Sequence, residues 1–165
     1  MPEVPIREAV FAAIVAALEA AEMEVGERAV TIERNRDAEV PPDECPMIVV
    51  LDGDMDAQNG NSLDARYIGR ATLAGWLKAD TTADLHAQAN LLHALTVRAL
   101  IRPDPDLLPQ PLTLADGTTQ VDIIEGGFRV EAASIAQSDQ PMASFVLEIS
   151  FDLYAPWGSP FITTP

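Results

Sequence analysis

A chain of 165 residues suits one ordinary domain with volume enough for a hydrophobic core. Its 48% apolar and 22% charged residues are globular composition, too hydrophobic for a disordered protein. The formal charge is −16, with Lys78 the only lysine; no basic patch is present to release counterions from a phosphate backbone, which argues against a grip on nucleic acid.

The first predicted element is a helix from Pro5 to Ala21, because Ile6, Val10, Phe11, Ile14, Ala17, Leu18 and Ala21 recur at spacings of three and four. Pro5 suits the first turn, where its missing N–H costs nothing, and Glu3 and Glu8 complement the positive helix end. This segment is amphipathic, so neither a signal peptide nor a membrane span is expected, and Gly26 closes the helical region. From Ala29 to Arg36 the run AVTIERNR alternates as a strand with one wet face, placing Arg34 and Arg36 on the same side. Pro41, Pro42 and Pro46 then force a surface loop over Asp37 to Pro46. The single cysteine, Cys45, lies within it. It cannot make an internal disulfide, fits synthesis in a reducing cytoplasm, and reads as a small half-buried residue rather than a nucleophile.

Met47 to Leu51 is an uninterrupted apolar run, the pattern of a strand buried on both faces. The stretch from Gly53 to Ala65 after it is expected to be a mobile acidic loop. Ala65 to Ala79 reads as a long strand, with Gly69 and Gly75 as points of bulge or bend. A second helix begins at the capping pair Thr81 and Asp84, carries its apolar stripe on Leu85, Ala89, Leu92, Leu95 and Ala99, and is stopped by Pro103.

Arg102 to Leu112 is an extended, proline-rich connector, and three strands are expected to follow it. In TTQVDIIEGGFRVEAASIA, Gly126-Gly127 signals a tight turn between two of them, the second with Phe128, Val130 and Ala132 on one face. In ASFVLEISFDLY, Phe145, Leu147, Ile149, Phe151 and Leu153 point one way, the cleanest period-two signal in the chain. The resulting fold class is α+β: a mostly antiparallel sheet with the two amphipathic helices packed on one face. The expected organisation is a single domain over 1–155 and a proline-rich C-terminal arm over 156–165, whose Trp157 and Phe161 suit ordering against a neighbouring molecule or a fold back onto the domain.

Chemistry is sparse. Asp52, Asp54 and Asp56 match the first, third and fifth positions of a calcium loop, but Ala57 stands where its glycine belongs and Leu63 where its bidentate glutamate belongs. These three remain the candidate metal ligands, weighed against a solvated acidic loop; Asp52, directly after a buried strand, is the best single candidate for a hydrolytic carboxylate. His86 and His93 share a helix face at a spacing of seven, whereas a zinc pair on a helix needs four. No G-x-S-x-G, P-loop or G-x-G-x-x-G occurs, so no catalytic residue and no cofactor is assigned. Arg34 and Arg36 are candidates for an acidic partner or for the chain's own carboxylates. Charge imbalance, a proline-rich arm and irregular loops instead fit a subunit of an assembly.

The helix IREAVFAAIVAAL, the segment IERNRDAEVPPDECP, the strand MIVVLDGD, the central helix and the closing ISFDLYAPWG together cover most of the chain. In that pattern it resembles the tail terminator (tail-to-head joining) proteins of long-tailed bacteriophages and gene transfer agents. The resemblance implies a non-enzymatic virion subunit, made in the bacterial host cytoplasm, that forms a homo-hexameric ring capping the tail tube. It further implies contacts with the tail tube protein and with the head-tail connector or stopper protein, and DNA passing through the lumen without specific binding. An acidic, non-adhesive lumen would suit that passage. The family has no fixed motif to transfer; Arg34, Arg36, Asp54, Asp56, Trp157 and Phe161 are the candidate contact residues on the reading of the sequence itself. The alternatives are another neck component, such as a head-completion or stopper protein, or a calcium-dependent module or small metal-dependent hydrolase built on Asp52, Asp54 and Asp56.

Overall fold

The computed structural model describes residues 2–61, 63–104, 106–131 and 142–165. Its elements are β1 (Glu3–Pro5), α1 (Ile6–Ala20), β2 (Glu24–Val25), β3 (Arg28–Ala29), β4 (Thr31–Arg34), a 3₁₀ turn (Pro42–Glu44), β5 (Met47–Asn59), β6 (Asp64–Lys78), α2 (Thr82–Ile101), β7 (Leu112–Thr113), β8 (Gln120–Glu131), β9 (Met142–Pro156) and β10 (Phe161–Thr163). The main sheet has six strands in the order β4-β5-β6-β9-β8-β7. β4 and β5 are parallel and the other neighbours antiparallel. Both helices lie on one face, so the fold is α+β as its alternating strands imply.

The period-two pattern of β9 is realised without exception: Phe145, Leu147, Ile149, Phe151 and Leu153 are all buried on the inner face. Against them pack Ile6, Val10, Phe11, Ile14 and Leu18 of α1 and Leu85, Ala89, Leu92 and Ala99 of α2. α2 starts where Thr81 accepts a hydrogen bond from the Asp84 backbone N–H at 3.1 Å, which satisfies one of the free donors of its first turn. Gly69 and Gly75 are not bulges, because β6 pairs with β9 in unbroken register through both. They are glycine because a Cβ at Gly69 would overlap the Phe151 ring and one at Gly75 the Phe145 ring. The far edge of each ring fills the space a Cβ would take, and this lets two large aromatics enter one layer of core.

Three further expectations are corrected. Gly126-Gly127 makes no turn: β8 runs straight through it, and the two glycines form a bulge opposite Glu148. Neither glycine has the positive φ that a two-residue hairpin turn requires. Of the face assigned to Phe128, Val130 and Ala132, the first two pack on the core and Ala132 lies outside the described residues. Secondly, the acidic stretch after Leu51 is strand as far as Asn59, paired with β6 down to Ala65. Asp and Asn are poor strand formers, but β6 is held on its other side by β9 and offers a complete ladder, so tertiary pairing overrides propensity. Thirdly, Arg34 and Arg36 do not share a face, because β4 ends at Arg34 and Asn35 takes φ +50°.

The outer face of the sheet is half covered. The segment 35–46, which carries the chain from β4 to the parallel β5, folds across it and buries Val40 and Cys45 against Met47 and Val49, with Ala74, Trp76 and Met142 around them. The segment 156–165 lies along the N-terminus: β10 pairs with β1, and Ile162 is buried in the main core.

Candidate assembly surface

Asp52 is the last β5 residue before a bulge, in which Gly53 and Asp54 together oppose Arg70. Glycine is needed at 53 because a Cβ there would overlap the Arg70 carbonyl oxygen. In a regular strand Asp52, Asp54 and Asp56 would share one face; the extra residue reverses the alternation beyond it. Asp52 therefore faces the helices, level with Ala71, while Asp56 faces out, level with Ile68. The three carboxylates do not converge, and among the described residues no group of three or more acidic, His or Cys side chains is placed to share a metal.

Asp52 is half-buried and engaged by Arg34 from β4. Arg34 Nε donates to Asp52 Oδ1 at 2.9 Å and Nη2 to Oδ2 at 2.6 Å. The same guanidinium donates to Glu8 of α1 at 2.8 and 3.0 Å and sits 5.0 Å above the Phe11 ring. Burial pushes the Asp52 carboxyl up, and the Arg34 hydrogen bonds and charge outweigh it, leaving a net lowering; Arg34 holds Glu8 below the usual carboxylate range as well. This bidentate clamp ties helix, edge strand and bulge together. It is a structural use of Arg34 and Asp52.

Arg36 works on the other face, bonded to Glu33 and Glu44 and to the carbonyls of Ala38 and Glu39. It ties the crossing segment down over Cys45, whose thiol burial pushes up to about 11; a group so protonated is a poor nucleophile. His93 stacks on Phe128 at 4.0 Å and bonds Glu125, while His86 is exposed.

What projects is the distal half of the β5–β6 hairpin. Its tip is ordered by Asn61, whose side-chain oxygen accepts from the backbone N–H groups of Leu63 and Asp64, both at 2.8 Å. Trp157 docks on the tip: its indole N–H donates to the Asn61 carbonyl and its backbone N–H to the Leu63 carbonyl, both at 3.2 Å. Trp157 is still 48% exposed beside Leu63 at 76%, and Phe161 stands outward on β10. The bare part of the outer sheet face adds Leu51, Ile124 and Tyr154, with Arg66 of β6 ion-paired to Asp152 of β9 between them. Asp54 and Asp56 are exposed along this hairpin and make no ion pair among the described residues. Sequence reading missed Leu63, Ile124 and Tyr154, and it placed Leu51 in a run buried on both faces, whereas burial ends at Val50. The signal for Tyr154 was present, since it falls on the polar phase of the β9 alternation; that for Leu63 was not, because the turn was read as part of a loop.

No family model matches the sequence, and no curated protein matches it. Among solved structures, a chain from the virion of a native gene transfer agent particle superposes with a TM-score of 0.53, over 92% of this chain and 96% of that one. The fold is one found in a virion. Identity is 13%, so the likeness is one of fold and transfers no residue role.

Proposed function

We propose that this chain is a structural, non-enzymatic virion component of a phage-like particle, and more specifically a tail terminator subunit. In this role it forms a ring, of six copies, that caps the tail tube, stops its polymerisation and joins tail to head. The observation that carries the proposal is the near end-to-end fold likeness to a chain of the gene transfer agent virion. The site geometry supports it, because the described residues that stand out are surfaces: an exposed hairpin tip with Trp157 and Leu63, and a bare sheet face with Leu51, Ile124 and Tyr154. Neighbouring copies, the tail tube protein and the head-tail connector or stopper are the partners, and DNA crosses the lumen unbound. The carboxylates that suggested a metal site are divided between two faces of the sheet, which favours this reading over a calcium-dependent module or a hydrolase.

Light scattering on the purified chain, with electron microscopy of mixtures with tail tubes, tests the proposal. Rings seated on tube ends are expected. A strictly monomeric chain that leaves tube length uncontrolled overturns it, and a labelled chain found on the head side of an assembled particle assigns it to another neck component instead.

A further inference from the structure

The β5 strand has an uncovered backbone edge. β4 pairs with it only as far as Arg34 opposite Val50, and the ladder is closed there by Asn35, whose backbone N–H donates to the Val50 carbonyl at 2.8 Å and whose side-chain oxygen accepts from the Asp52 N–H at 3.0 Å. From Gly53 to Asn59, about 23 Å of strand, no strand among the described residues pairs with the outer edge. Unpaired N–H and C=O groups in a row are a template for another extended chain. On the inner side β6 and β9 hold the strand in a fixed ladder, so the edge is already organised to receive one.

We infer that this edge receives an extended, Lys- or Arg-bearing segment of another protein, added as a further strand. Charge selects that occupant. β5 carries no cation, Asp52 is consumed by Arg34, and Asp54 and Asp56 flank the free edge without an ion pair among the described residues. A second copy is the poorer fit. Its matching free edge is β8 from Asp122 to Glu131, which carries Asp122, Glu125 and Glu131, and its one cation, Arg129, is already bonded to Glu131. Pairing the two would set like charges opposite each other. Alternating basic side chains would instead meet Asp54 and Asp56 while the backbone completes the ladder. An open edge of this length would take such a segment whatever particle the chain belongs to.

The test titrates the full chain, at low ionic strength, into a short labelled peptide in which Lys alternates with Val, followed by fluorescence anisotropy. A second peptide has the same sequence with alternate backbone nitrogens methylated, which keeps the charge and removes the donors. The methylated peptide is expected to bind about tenfold weaker or worse, and Asp54→Asn/Asp56→Asn, checked for an unchanged urea midpoint, to weaken the parent peptide about tenfold. Those amides of residues 55–59 that point away from β6 should gain hydrogen-exchange protection on adding the peptide. Equal binding of the two peptides would reduce the effect to bulk charge and overturn the inference. So would no binding at all, or protection of those amides on simply concentrating the chain, which would give the edge to a second copy.

Discussion

Of the two uses the sequence offered for Arg34, an acidic partner or the chain's own carboxylates, the structure shows the second. Its guanidinium is shared by Asp52 and Glu8 and covers Phe11, so removing it leaves the half-buried Asp52 without a counter-charge. Arg34→Ala is expected to cost about 2 kcal/mol in urea unfolding, below the range for fully buried pairs because both side chains keep some water. The pH dependence has a definite sign. Asp52 and Glu8 are both held below their ordinary values, so as pH falls the unfolded chain takes up protons before the native one. Their contribution is complete above about pH 5 and drains away as pH drops below about 4, through their folded-state values. Asp52→Asn should flatten that acid limb in midpoints measured from neutral pH downward; an unchanged limb would remove Asp52 from the account. Gly69 and Gly75 carry the opposite lesson, since their presence was plain and their purpose, making room for Phe151 and Phe145, needed the neighbouring strand.

Among the elements, α1, α2 and β9 were legible because each carries a strong hydrophobic period, and β6 was legible in its extent. β5 was half legible. MIVV announces a buried strand, but the extension through DGDMDAQN has polar composition and only the β6 ladder makes it strand. β10 illustrates a short element held by packing. Its three residues have one buried side chain, Ile162, set against the core under β1, while Phe161 points outward. Ile162→Ala should therefore cost about 2 kcal/mol, and Phe161→Ala no more than about 0.5 kcal/mol. Thermal or urea melts of the two variants check this, and equal losses would mean that the ribbon is not anchored through Ile162.

At the scale of the whole molecule, the charge of −16 opposes compaction, because most carboxylates face water and few cations remain to offset them. Added salt screens that repulsion over a Debye length of about 10 Å near 0.1 M. The melting temperature should rise by about 2–5 °C between low and moderate sodium chloride in calorimetry. A flat or falling trend would mean that the attractive clamps, Arg34 with Asp52 and Arg66 with Asp152, outweigh the net charge.

The sequence by itself determined the fold class, the two helices with their packing faces, the buried phase of β9 and the absence of a recognisable catalytic motif. Those properties are written in local periodicity and in residue types that act where they stand. Only the tertiary structure decided the fate of Asp52, Asp54 and Asp56. One inserted residue at the Gly53–Asp54 bulge sends Asp52 to Arg34 and Asp56 to the opposite face, and pairing with β6, itself held in place by the distant β9, turns a presumed loop into an open edge. Such outcomes depend on which strands become neighbours, and neighbours far apart in the chain leave no local pattern to read.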